Sequence, residues 1–163
     1  MIRGPIAITL MGLALIGGSM LATPCAVWNV SESMPRGLYW IDNRPARRGD
    51  IVVVRLPESI GDFAAHRDYL PKSAVLIKQV AAMGGDRVCR FGTIFFINAH
   101  RRASARIHDF AGRLMPTWSG CQFLKSHEVF LLGLGSGSFD SRYFGSINAS
   151  RIVGRATILW STD

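Results

Sequence analysis

Three short segments of this 163-residue chain carry side chains able to do chemistry together. The first is Ser31-Glu32-Ser33-Met34-Pro35. A serine hydroxyl is a useful nucleophile only when its pose is defined and a base stands beside it. Pro35 fixes its own φ and restricts Met34, so the loop holds Ser33 in a defined pose. An ordinary turn would use the same residues. The second segment centres on Lys78, within Ala74-Val75-Leu76-Ile77-Lys78-Gln79-Val80-Ala81. On a strand, residues two apart share a face, so Leu76 and Val80 flank Lys78 while Val75 and Ile77 fill the other face. A desolvated ammonium gives up its proton more readily, and such a lysine can take a proton from serine. A lysine that snorkels to water from an edge strand would leave the same pattern. The third segment is Gly137-Ser138-Phe139-Asp140-Ser141-Arg142-Tyr143-Phe144-Gly145, which sets hydroxyls, a carboxylate and a guanidinium between glycines. Asp140 and Arg142 are spaced to pair and to fix a loop, and such loops often support a site.

The elements that must position these groups read as short strands. Gly37–Ile41, Ile51–Val54, Ala74–Ala81, Val88–Phe91, Thr93–Asn98, Ala103–Ile107, Glu128–Leu134 and residues 151–160 carry β-branched or aromatic runs between turn signals. Residues 24–35 read as a polar connection, 57–73 as a short helix or loop, and 112–122 as a loop. This pattern predicts a mainly β domain, with no internal repeat and no second globular unit.

The N-terminus sets the compartment. Gly4 to Ser31 contains no Asp, Glu, Lys or Arg, and Pro5–Thr23 gives 19 consecutive, mostly apolar residues. About 20 such residues cross the hydrocarbon core as a helix. Arg3 is the early flanking charge, which places the N-terminus in the cytoplasm and exports the rest. A cleaved signal peptide is the competing reading, but Pro24 after Leu21-Ala22-Thr23 is a poor cleavage context, and proline before Cys25 is a poor lipoprotein context. The organisation that follows is an anchor over residues 1–28 and an exported domain over 29–163, single-pass with the domain on the extracytoplasmic side. Cys89 and Cys121 then share an oxidising compartment and are candidates for a disulfide. No Cys/His cluster has metal-ligand spacing, and neither metal nor other cofactor is expected.

The net charge is +8, from 19 Lys and Arg against 11 Asp and Glu. The cations are scattered, in groups such as Arg44, Arg47 and Arg48 or Arg101, Arg102 and Arg106, with no nucleic-acid-binding signature. They suit a surface beside anionic lipid rather than a nucleic acid. Ser33 lies ten residues beyond Thr23, so it stays within about 35 Å of the bilayer core at roughly 3.5 Å per residue. Trp28, Tyr39 and Trp40 are side chains suited to the interface.

In order, Ser33-Met34-Pro35, then Ile77-Lys78-Gln79-Val80 with Gly84-Gly85-Asp86-Arg87-Val88, then Asp140-Ser141-Arg142-Tyr143-Phe144-Gly145, resemble the motifs of type I signal peptidases. Pro35-Arg36-Gly37-Leu38-Tyr39 and Ser138 to Gly145 are similar to the conjugative-transfer, TraF-type branch. The resemblance runs from about Asn29 to Trp160. It implies a single signal-peptidase-like β domain behind one transmembrane helix, and that the membrane is a bacterial inner membrane with the domain on its periplasmic side. It further implies a serine endopeptidase with Ser33 as nucleophile and Lys78 as general base. Ser138 would orient the lysine amine, Asp140 and Arg142 would brace the loop, and the Ser33 N–H and Ser31 hydroxyl would donate to the oxyanion. In that branch the substrate is a pilin precursor, in some members cyclised as it is cut, and other conjugative transfer proteins are further partners. Gly84 stands where ordinary signal peptidases often have proline, the Gly135-Ser136-Gly137-Ser138-Phe139 loop is poor in Asn and Asp, and there is no room for a large inserted domain.

Other readings differ by class. A general signal peptidase would use the same dyad on signal peptides. A non-catalytic, membrane-anchored assembly protein would have no need of Ser33 and Lys78. A self-cleaving repressor would carry a DNA-binding domain, which has no counterpart here. A Ser-His-Asp triad would draw on His66, His100, His108 or His127, none of which sits in a recognisable catalytic motif.

Overall fold

The computed structural model describes residues 25–162. The expected membrane helix over Pro5–Thr23 therefore lies outside the described residues. Among those described, no helix is long and apolar enough to cross a membrane. The elements in chain order are β1 (Ala26–Asn29), β2 (Gly37–Asp42), β3 (Ile51–Arg55), α1 (Glu58–His66), β4 (Val75–Met83), β5 (Arg87–Phe91) and β6 (Ile94–Ile97). They continue with β7 (His100–Ser104), β8 (Gly120–Phe123), β9 (Glu128–Leu132), α2 (Ser141–Phe144), β10 (Ile147–Asn148) and β11 (Ile152–Ser161).

The strands form two antiparallel sheets. The larger runs β1-β2-β11-β3-β4-β9-β10 and the smaller β7-β6-β5-β8. The domain is thus mainly β. The larger sheet is buried on both faces at its centre, and its sequence shows why. Val52 and Val54 join Leu76, Val80, Val129, Leu131 and Ile147 on one side. Their neighbours Val53 and Ile77 join Met34, Tyr39, Ile41 and Ala156 on the other. A strand covered on both sides reads as a continuous apolar run rather than an alternating one. A third cluster, with Val88, Phe95, Ile97, Leu124, Phe130 and Tyr143, joins side chains of the two sheets. Cys89 pairs with Cys121 across β5 and β8, and the two are joined by a disulfide.

Several local expectations are corrected. Residues 24–35 are not all connection, because Ala26–Asn29 pairs with β2 in the register Asn29↔Gly37. The predicted strand over 103–107 is displaced to His100–Ser104, where the backbone pairs with β6 while four of the five residues stay exposed and carry no apolar signal. The tail of the predicted 112–122 loop belongs to Gly120–Phe123, fully exposed along its length. Residues 57–73 hold the short helix α1. Tyr39 is not an interfacial side chain: it is fully buried, and its hydroxyl donates to the Pro35 carbonyl at 2.8 Å. Trp28 and Trp40 remain about half exposed, at 49% and 46%.

Candidate active site

Lys78 sits in the middle of β4, paired with Val52 of β3. Its side chain is 2% exposed. Burial lowers its pKa to about 8, with the nearby Asp140 carboxylate pulling it up and the Arg142 guanidinium pushing it down. Desolvation wins because an ammonium loses far more hydration in an apolar sheet than one carboxylate at a distance restores. Among the described residues, no carboxylate forms a salt bridge with it.

Two loops converge on this lysine. On its other side β4 pairs with β9 in the register Gln79↔Leu132. Gly133 follows the last paired residue of β9, and continuing that register by one step sets it opposite Lys78. Directly opposed residues point their side chains to the same face. A Cβ on Gly133 would lie 2.1 Å from Ser138 Oγ and 2.9 Å from the Ser33 carbonyl oxygen. Gly133 is thus the gap into which both loops pack. The Ser33 carbonyl also accepts from the Leu134 N–H at 2.7 Å. Ser138 Oγ is buried with no hydrogen-bond partner among the described residues. The Ser33 and Ser138 loops, far apart in the chain, therefore meet at one glycine, one register step past the pairing of β4 with β9.

The loop bearing Ser138 is braced from beneath. Arg142 donates from Nε to Asp140 Oδ1 at 2.8 Å and from Nη2 to Oδ2 at 2.7 Å, a two-point pair. Both residues are buried. Burial opposes the Arg142 cation and the Asp140 carboxylate more than offsets it, so its pKa is raised. Asp140 Oδ2 accepts from the Gly133 N–H at 2.8 Å, and Arg142 Nη2 donates to the Gly135 carbonyl at 2.8 Å. Asp140 also caps α2 by accepting from the Arg142 N–H. One ion pair thus holds both ends of the 133–138 turn.

At the nucleophile loop, Ser31 Oγ lies 2.9 Å from Ser33 Oγ. Asn29, which no motif singled out, lies at the centre of this loop. Two hollows flank it. One of about 620 Å³ is lined by Gln79, Val80, Leu132, Gly133, Leu134 and Arg142 among others. The second, about 440 Å³, is lined by Glu32, Met34, Pro35, Arg36 and Leu134. Leu134, whose N–H donates to the Ser33 carbonyl, borders both, while Ser33 and Lys78 themselves line neither. His66, His100, His108 and His127 are all exposed and line neither hollow. Among the described residues, no group of three or more His, Cys, Asp or Glu could hold a metal ion.

A buried lysine and a serine loop in a mainly β domain are features that a peptidase of the signal-peptidase type would carry. The family comparison agrees: residues 3–161 match the family model described as signal peptidase, peptidase S26, and the chain belongs to that family. It is 35% identical to a probable conjugal transfer protein TraF of Sinorhizobium fredii, over 90% of this chain and 86% of that one. It is 30% identical to a plasmid transfer protein TraF of Escherichia coli, over 93% and 88% respectively. A solved signal peptidase I of Enterococcus faecalis aligns with 71% of this chain and all of its own, at 16% identity and a TM-score of 0.44.

Proposed function

We propose that this protein is a membrane-anchored serine endopeptidase that processes a precursor of a conjugative transfer system, with a pilin precursor as substrate. Ser33 is the nucleophile and Lys78 its general base. The observation that carries this reading is Lys78 itself. A lysine 2% exposed in an apolar sheet, its pKa lowered to about 8, is costly to keep unless its neutral form is used. The neutral amine takes the Ser33 proton as Oγ attacks the scissile carbonyl, then returns it to the leaving amine as the acyl-enzyme forms. The Ser33 N–H stabilises the oxyanion, and Ser138, whose buried hydroxyl lacks a partner, orients the amine. Water then resolves the ester, or the precursor's own N-terminal amine does so and closes a ring.

The relatives' names favour a transfer-system substrate over general signal-peptide removal. The membrane reading rests on the apolar Pro5–Thr23 stretch and on the face beside it. Trp28 of β1, Leu38 and Trp40 of β2 and Trp160 of β11 share one face, with Trp28 opposite Leu38 and Leu38 opposite Trp160. The Trp28 and Trp160 rings lie 5.5 Å apart. Indole rings favour the headgroup region, so this face looks toward lipid and holds the site near membrane-inserted substrates. Intact-mass spectrometry of the pilin precursor, co-expressed with the protein or with its Ser33→Ala variant, tests the reading. Loss of a terminal segment only with the parent supports it, and a further loss of one water identifies cyclisation. An identical precursor mass in both strains would remove the proposed substrate.

A further inference from the structure

The hydrogen bonds of the nucleophile loop have a fixed direction, and Asn29 sets it. Asn29 ends β1 and is 6% exposed. Its Nδ2 donates to the carbonyls of Ser31 at 3.0 Å, Met34 at 2.9 Å and Pro35 at 3.0 Å. Carbonyl oxygens only accept, so the amide cannot be reversed without setting Oδ1 against three of them. Oδ1 therefore faces Ser31, where it accepts from the backbone N–H at 3.2 Å and from Oγ at 3.0 Å. A serine hydroxyl has one proton. Ser31 commits its proton to Asn29, so in the 2.9 Å contact between the two serines Ser33 is the donor and Ser31 the acceptor.

We infer that Asn29 is a positioning residue of the reaction: it holds the Ser31 hydroxyl as an acceptor, and through it fixes Ser33 Oγ. This rests on the Ser33–Lys78 reading and extends it. At rest the Ser33 proton points to Ser31 rather than to Lys78. When Oγ bonds to the substrate carbonyl, that proton passes to Lys78 Nζ and Ser33 ceases to donate to Ser31. Ser31 can donate to an oxyanion only by withdrawing its own proton from Asn29, so Asn29 also sets when that second donor becomes available. Removing Asn29 leaves both hydroxyls free to rotate. The lost geometry should appear in kcat more than in KM, because the substrate hollows are lined by other residues.

The test is a double-mutant cycle on the full chain in detergent, with Asn29→Ala and Ser31→Ala, using a precursor that the parent cleaves and Ser33→Ala does not. Asn29→Ala should lower kcat about tenfold, as for loss of one oriented hydrogen bond, with KM and the pH midpoint of activity little changed. In the Ser31→Ala background the same change should cost no more than about twofold, since contacting residues that act as a unit are not additive. Equal factors in both backgrounds would overturn the inference and leave Asn29 as a loop brace. A readout independent of turnover is the Asn29 side-chain amide in NMR spectra of the full chain. Its protons should exchange slowly in the parent and in Ser33→Ala, and shift in Ser31→Ala. An Asn29 amide that exchanges like a solvated one would also overturn the inference. A parent that cleaves no precursor would instead sink the peptidase reading, leaving the amide measurement to decide the network.

Discussion

At the scale of single residues, Lys78 sets function against stability. Its folded pKa of about 8 lies below the unfolded value of 10.5. Between those two values the unfolded chain binds more protons than the folded one, so stability should rise with pH across that window and stay flat below it. The gap corresponds to roughly 3 kcal/mol of destabilisation at neutral pH. Lys78→Met retains the packing beside Leu76 and Val80 and removes the buried cation. It should be more stable than the parent at pH 7 by up to about 3 kcal/mol, and lose the rise between pH 8 and 10.5, while losing activity. Chemical denaturation over pH 6.5–10.5 measures this, and an unchanged pH profile in Lys78→Met would show that the amine is not desolvated. Ser33 and Lys78 stood out locally as a serine in a turn before proline and a lone cation in an apolar strand, but each signal also fitted a structural role, and the resemblance alone suggested the catalytic ones. The Asp140–Arg142 ion pair was legible from spacing alone, whereas the part given to Ser138 came only from the resemblance to a known loop. Asn29 and Gly133 were not legible at all. Gly133 is required by the approach of two loops from elsewhere in the chain, and Asn29 by carbonyls that face it only once β1 has paired with β2.

At the scale of elements, what could be read depended on burial. β3 and β4 carry continuous apolar runs because both of their faces are covered, and such runs stand out in any window. β7 and β8 are edge strands of the smaller sheet with mostly exposed side chains, so their backbone pairing leaves no trace in hydropathy. α2 is four residues long and is set by the Asp140 cap and the ion pair rather than by periodicity. β8 is held to β5 by the disulfide across a separation of 32 residues. On the chain-entropy relation, closing such a loop stabilises the fold by about 3–4 kcal/mol. The Cys89→Ser/Cys121→Ser protein should lose about that much in urea unfolding while keeping its precursor processing, since neither cysteine lines the site hollows. A loss of processing with the fold intact would show that β8 supports the site directly.

At the scale of the whole molecule, one hairpin joins the exposed tryptophan face, proposed above to meet lipid, to the serine loop. β1 and β2 carry Trp28 and Trp40 outward, and the loop between them carries Ser31 and Ser33. If that face rests on lipid as proposed, the hairpin sets the height of the Ser33 loop above the bilayer. Brominated lipids in reconstituted vesicles should quench the fluorescence of Trp28, Trp40 and Trp160, and Trp118, packed against Phe95 and Phe130, should be spared. Replacing the three exposed tryptophans with phenylalanine should abolish most of the quenching. Equal quenching of Trp118 alone would place a different face on the membrane.

The dyad itself is tested most directly by precursor processing with purified, folded Ser33→Ala, Lys78→Arg and Lys78→Met proteins beside the parent, across pH 6 to 10. The parent's rate should rise as Lys78 loses its proton, with a midpoint near its lowered pKa of about 8. All three variants should be inactive at every pH: alanine removes the nucleophile, arginine stays protonated, and methionine cannot accept a proton. Substantial turnover by either Lys78 variant, or a parental rate independent of pH through that range, would contradict the assignment of Lys78 as the base.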